Sequence, residues 1–186
     1  MPKNDPTSTS GCDDLGWLPA TVIEPMRPED LDEVLAIERV SFPSAWSRES
    51  YVRELRNSNS YYFVARLQGS IIGHAGMWII GDEAHISTLA VHPERRRRGL
   101  GRRFLSHLID ISLERRIARV TLEVREANSA ARALYGEFGF QETGLLPRYY
   151  GDTGESGVVM CKVLSSQPGT PSSRSPSAGG DRGGSE

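Results

Sequence analysis

Four consecutive arginines, Arg95 to Arg98, run into Gly99-Leu100-Gly101. A cationic run against a glycine pair suits three uses: a nucleic-acid patch, the solvated start of a helix, or a cradle for phosphate groups. A helix N-terminus presents free backbone N–H groups and the positive end of the helix dipole, so it attracts anions. Glycine has no Cβ, so a ligand can approach the main chain closely there. The Gly-Lys-Ser/Thr of a nucleotide-binding P-loop is missing, and so is the third glycine of a dinucleotide fingerprint. A second stretch, RVTLEVR (119–125), alternates Val120, Leu122 and Val124 with Thr121, Glu123 and Arg125, the period of a strand. Glutamate is a poor strand former. Glu123 is therefore either part of a polar face, solvated or paired to Arg125, or a carboxylate placed to take a proton. Tyr135 follows Asn128 by two helical turns, so both share one helix face. Asn128, ahead of SAARALY, suits a helix N-cap. Tyr135 suits either core packing beside Leu134 and Phe138 or a phenolic proton donor.

The elements that must hold these residues follow from periodicity. TVIEPMR (21–27) predicts a strand that Pro25 confines to an edge or a bulge. PEDLDEVLAIERVSF (28–42) opens on proline and acidic residues, as helices do, with Leu31, Val34, Leu35 and Glu38 at helical spacing. FPSAW (42–46) is a loop, and Ser47 can cap a second helix, SRESYVRELRN. YYFVARL and SIIGHAGMWII flank Gln68-Gly69 and predict a hairpin. HISTLAV (85–91) is a strand. GLGRRFLSHLIDISLERR (99–116) is a helix with Phe104, Leu105, Leu108, Ile109 and Leu113 on one face. After the strand 119–125 come a helix, 128–139, and two strands, 140–146 and 155–164. This order predicts an α/β (α+β) fold: a mixed central sheet of about seven strands with helices on both faces.

Composition narrows the use of the arginines. The 186 residues suit one domain and carry a formal net charge of -2, so there is no global basic field for nucleic acid. No direct nucleic-acid binding is expected. Cys12 and Cys161 stand far apart without metal-ligand spacing and are expected to be reduced thiols. His74, His85 and His92 are not spaced as a metal site either; the first two fall in strands, and no metal is expected. The opening MPKNDPTSTS has no apolar run, and nothing approaches the roughly 20 apolar residues of a membrane span. A cytoplasmic location with no membrane partner is the expectation. Residues 1–20 and 165–186 are rich in Ser, Gly, Pro and charge and are expected to be disordered extensions of a domain at 21–164.

With these residues in place, the chain resembles a known superfamily. Arg96-Arg97-Arg98-Gly99-Leu100-Gly101 matches the Arg/Gln-x-x-Gly-x-Gly/Ala signature of the GNAT N-acetyltransferases. LAVHPERRRRGLGRRFL is similar to their strand-loop-helix core, and LEVREANSAARALYGEFGF to the strand-helix-strand that follows. FPSAWS and PRYYGD bring it closest to the bacterial RimI-type N-terminal alanine acetyltransferases of ribosomal proteins, although FPSAWS has one residue more than the usual loop. The resemblance covers roughly residues 21–164 and implies the GNAT fold. It implies acetyl transfer from acetyl-CoA to the α-amino group of a protein N-terminus, an alanine of a small-subunit ribosomal protein. Leu89, Ala90 and Val91 would run beside the pantetheine arm, with the Val91 N–H facing the thioester oxygen. Arg97, Arg98, Gly99, Leu100, Gly101 and Arg102 would hold the pyrophosphate, and Asn128 would touch the cofactor. Glu123 would be the base and Tyr135 the acid. Phe42, Trp46, Tyr149 and Tyr150, together with Pro43, Ser44 and Ala45, would hold the acceptor peptide. Two other functions compete: a small-molecule acetyltransferase for polyamines or aminoglycosides, and a non-enzymatic module whose arginines bind RNA.

Overall fold

The computed structural model describes Leu18 and residues 20–164. The expectations for the two terminal extensions fall outside the described residues. Seven strands and four α-helices follow one another: β1 (Val22–Pro25), α1 (Leu31–Ser41), α2 (Arg48–Leu55), β2 (Ser60–Leu67), β3 (Ser70–Ile80), β4 (Glu83–Val91), α3 (Leu100–Glu114), β5 (Arg119–Arg125), α4 (Ser129–Glu137), β6 (Gln141–Tyr150) and β7 (Glu155–Val163). The strands form one sheet in the order β1-β2-β3-β4-β5-β7-β6. Every pairing is antiparallel except β4 with β5. Pro25 lies on β1, an edge strand, where its missing N–H leaves no ladder bond unmade. Gln68 and Gly69 both have positive φ, the requirement of the tight turn that joins β2 to β3.

Alternation along the strands feeds two cores. Tyr62 and Val64 pack with Leu31, Val34 and Tyr51 under α1 and α2. Phe63 and Ala65 point the other way and pack with Phe104, Leu105 and Leu108 of α3 and Tyr135 of α4. Helices thus cover both faces, as the alternation of strand and helix predicted. The stripe of α3 differs from expectation at one end. Leu113 is half exposed, whereas Ser112 is fully buried. Ser112 continues the spacing Leu105, Leu108, Ile109 by three residues and Leu113 overshoots it. The buried hydroxyl is satisfied by donating to the Leu108 carbonyl at 2.8 Å.

One irregularity shapes the middle of the sheet. β4 and β5 stay in register from Glu83–Arg119 to Ile86–Leu122, and there the pairing stops. At the same place β4 slips against β3: Met77 faces Ile86, but Gly76 faces Thr88, so Ser87 is an extra residue. Such a bulge bends and twists its strand. Here it carries the second half of β4 away from β5 and opens a fork. The Tyr62 ring lies so close over Gly76 that a Cβ there would sit 2.2 Å from it. Its hydroxyl is 2.9 Å from Ser87 Oγ, which also donates to the Gly76 carbonyl at 3.2 Å.

Candidate active site

The fork leaves main chain to spare. No strand pairs with residues 87–91 on the side facing β5, among the described residues. His92 N–H donates to the Ile72 carbonyl at 2.9 Å on the β3 side. Antiparallel ladders alternate, so the Val91 N–H turns away from β3 and into the fork. Leu89, Ala90 and Val91 line a cleft of about 580 Å³ there.

The loop after β4 closes one end of that cleft. Arg97 and Gly99 both have positive φ, which folds their main chain into a tight concave turn. Gly99 is the N-cap of α3 and offers no side-chain acceptor. The first N–H groups of the helix, at Leu100, Gly101 and Arg102, are therefore left for an anion. Arg97, Gly99, Leu100, Gly101 and Arg102 line the cleft, and Asn128 and Phe42 face it from other elements. Arg98 is not among the lining residues. Asn128 also caps α4, accepting the Ala131 N–H at 3.1 Å, so its two expected roles coexist. The arginines divide their work. Arg96 donates to the Val91 carbonyl at 2.9 Å and to Ser41 Oγ at 3.0 Å, so it ties the loop to the end of α1. Arg102 forms an ion pair with Glu137 across the cleft.

Glu123 points from β5 toward β4 and meets a residue that sequence reasoning left as an ordinary strand histidine. His85 Nε2 is 3.2 Å from Glu123 Oε2, and His85 Nδ1 is 3.2 Å from Thr121 Oγ1. The imidazole is stacked on Trp78, with ring centroids 4.7 Å apart. Parallel pairing puts His85 opposite Thr121, two residues before Glu123, so one side chain bridges both. Tyr149 donates to the same Glu123 oxygen at 3.4 Å. The hydrogen bond from His85 holds the Glu123 carboxyl below the usual range, against the opposing pull of partial burial. Arg125 does not pair with Glu123. It engages Asp152 at 2.7 Å and Glu155 at 3.3 Å, and its guanidinium lies 4.0 Å from the Tyr150 ring centre.

The remaining candidates are placed as follows. Tyr135 is buried in the α3–α4 core, 5.8 Å from the Phe140 ring. Burial, and then the nearby Tyr150, pushes its phenol up to about 12. Trp46 packs on Tyr51 and Tyr62, at 5.3 and 6.3 Å between ring centres. Tyr149 and Tyr150 meet edge to face at 5.1 Å on β6. Tyr149 needs Gly157 beneath it, because a Cβ there would come within 2.9 Å of the ring. Glu123, Tyr135, Trp46, Tyr149 and Tyr150 do not line the cleft itself. Among the described residues, no group of three His, Cys, Asp or Glu side chains could hold a metal ion. No helix among them is long and apolar enough to cross a membrane.

Known proteins share this fold. The model of the acetyltransferase (GNAT) family matches residues 31–140. The chain is 33 % identical over 147 residues to the ribosomal protein bS18-alanine N-acetyltransferase of Escherichia coli K12, covering 77 % of this chain and 97 % of that one. It is 39 % identical over 119 residues to the N-alpha-acetyltransferase RimI of Mycobacterium tuberculosis, covering 62 % of this chain and 73 % of that one. The crystal structure of the ribosomal-protein-S18-alanine N-acetyltransferase from Escherichia coli aligns with a TM-score of 0.74 at 31 % identity, covering 81 % of this chain and 97 % of the other. A forked sheet with an uncapped helix at its mouth, a matching family model and full-length relatives agree: the chain belongs to the acetyltransferase (GNAT) family.

Proposed function

We propose that this protein moves the acetyl group of acetyl-CoA to the α-amino group of a protein N-terminus, with an alanine of a small-subunit ribosomal protein as the acceptor. The observation that carries the reading is the fork, which opens a main-chain slot beside the Glu123–His85 pair. The relatives' activity, ribosomal protein bS18-alanine N-acetylation, supplies the acceptor class. GNAT acetyltransferases use acetyl-CoA, and the residues here suit it. The pantetheine arm pairs with Leu89–Val91 as an added strand. Its pyrophosphate sits on the N–H groups of residues 99–102, with Arg97 and Arg102 supplying charge at the cleft wall, Arg98 contributing only from outside it, and Asn128 facing the cofactor from the start of α4.

The chemistry is acyl transfer to an amine. An ammonium has no lone pair, so one proton must leave before the nitrogen can attack the thioester carbon. An α-amino group has a pKa of roughly 7.7–8.0, so a weak base suffices. Glu123 takes that proton, directly or through a water, and His85 and Tyr149 hold the carboxylate in place. The new N–C bond forms as the carbonyl oxygen gains charge. The Val91 N–H, turned into the fork, donates to that oxygen. As the carbonyl re-forms, the C–S bond breaks and Tyr135 protonates the departing thiolate. The nitrogen gives its second proton, through water, to the Tyr135 phenolate, and Glu123 releases the first to solvent. Phe42, Trp46, Tyr149 and Tyr150 frame the acceptor peptide.

A polyamine or aminoglycoside would need free carboxylates in the acceptor region. Asp152 of the β6–β7 turn and Glu155 at the start of β7 are both engaged by Arg125, which leaves one net negative charge in place of two free carboxylates. Mass spectrometry of an alanine-initiated peptide incubated with enzyme and acetyl-CoA tests the proposal, with spermine and an aminoglycoside alongside. A single acetyl group on the peptide's α-nitrogen is the expected product. Acetylation of the polyamine or aminoglycoside but not of the peptide would refute it.

A further inference from the structure

The face of the sheet beneath α1 and α2 holds a buried polar cluster that the chemistry above leaves unused. Glu38 on α1 is 1 % exposed, although it continues the apolar stripe of Leu31, Val34 and Leu35. A carboxyl so enclosed is costly unless every oxygen is engaged. Each is. Oε1 accepts from the Tyr51 hydroxyl at 2.6 Å and from Thr88 Oγ1 at 3.3 Å. Oε2 accepts from the Trp46 main-chain N–H at 3.2 Å. His74, wholly buried on β3, borders the cluster, with Nδ1 3.5 Å from the Tyr51 hydroxyl; its Nε2 lies 3.4 Å from Glu38 Oε1 without a hydrogen bond.

The donors come from three separate elements. Trp46 belongs to the loop between α1 and α2, which frames the acceptor. Thr88 follows the Ser87 bulge and precedes Leu89, where the fork's free main chain begins. Tyr51 lies on α2. The two carboxylate oxygens thus take one substrate's loop on one side and the other substrate's strand on the other.

We propose that Glu38 is a positioning residue that sets the spacing between the acceptor loop, 42–46, and the cofactor strand, and with it the pocket for the acceptor's first residue. This rests on the acceptor site assigned above. Glutamine replaces it imperfectly. With its oxygen on the Trp46 N–H, its NH₂ has to be accepted by the Tyr51 and Thr88 hydroxyls, which must then turn their own protons to other acceptors in a closed site. Every bond also loses the charge of the carboxylate.

The test is Glu38→Gln, read in two ways. Hydrogen exchange needs no acceptor, so it decides the positioning role even if the acceptor assignment fails. Residues 42–47 should exchange faster in the variant, while 99–105 stay as in wild type. Steady-state kinetics with the alanine-initiated peptide should show its KM raised about tenfold, the loss expected for one hydrogen bond to a charged group, with kcat and the acetyl-CoA KM within about twofold. Unchanged exchange at 42–47 overturns the proposal. So does faster exchange with an unaltered peptide KM, or an equal rise in both KM values, which would mean general loosening. Should Glu38→Gln not fold, Thr88→Val keeps shape and charge and removes one donor. It should raise the peptide KM about threefold in the same one-sided manner, and a wild-type peptide KM in that variant would also overturn the proposal.

Discussion

Glu123 is pulled in two directions. Partial burial favours its neutral acid, and the hydrogen bond from His85 favours the carboxylate and prevails. Glu123→Gln keeps shape and hydrogen bonding but loses the basic oxygen, so turnover should fall by roughly 10²–10⁴-fold while peptide and CoA affinity hold. Raising the pH should restore part of that rate, because more of the amine is then already neutral. Rates of the variant near wild type at neutral pH would show that another group is the base. His85→Gln weakens the contact that depresses the Glu123 pKa, so that pKa rises toward its ordinary value. A base must be ionised to act, so the acid limb of kcat/KM should shift to higher pH, and a pH–rate profile of the variant checks the sign. Tyr135, with its phenol held up at about 12, stays protonated throughout such a profile, which the proposed acid role requires. At this scale the sequence was half legible. Alternation in RVTLEVR exposed Glu123, since a strand glutamate stands out one residue at a time. The partnership with His85 spans 38 residues and exists only through parallel pairing of β4 and β5, which no local pattern encodes. Glu38 carried its own signal, an acid on an apolar helical stripe, but its donors come from elements that periodicity cannot bring together.

Elements were easier to read than their ends. Helix and strand periods in the chain gave all seven strands and all four helices, most of which bury an apolar face, although β6 is exposed along nearly its whole length. What periodicity missed was irregular. β6 runs to Tyr150 rather than stopping near Leu146, and its register with β7 is broken between Leu146 and Tyr150. Arg148 there has positive φ, a conformation that side-chain pattern does not announce. The bulge at Ser87 was equally silent, since an extra residue in one strand is defined only by its partner. The glycine pair at α3, by contrast, was plain in the sequence. Gly101 faces Leu134 across the cleft, and a Cβ there would already lie 3.4 Å from it. Gly101→Trp should therefore fill the mouth of the cleft and abolish CoA binding in a folded protein. Calorimetric titration of CoA, with circular dichroism as the check on folding, measures this, and unchanged affinity would mean that the cofactor binds elsewhere.

For the molecule as a whole, acid sets a limit that the buried cluster imposes. Burial keeps His74 neutral, with its pKa driven down to about 3 from 6.5. The unfolded chain takes up that proton below its ordinary pKa while the folded one does not. The contribution of His74 to stability is therefore complete above about 6.5 and is lost as pH falls toward 3. Melting temperature should decline over that window, and His74→Leu, which has nothing to protonate, should decline less steeply; equal slopes would contradict the assignment. The fork has a consequence of another kind. Unpaired strand is usually kept at a sheet's rim, where proline or charge discourages other chains from adding to it. Pro25 stands on such a rim in β1. The fork puts unpaired strand in the interior instead, and its free stretch, Leu89-Ala90-Val91, has neither proline nor charge. A foreign strand would compete there for the same main chain that the proposed pantetheine arm would use. On the proposed reading the cosubstrate would double as a stopper: protein that holds it should stay separate, and protein stripped of it should be the form that aggregates, through β4.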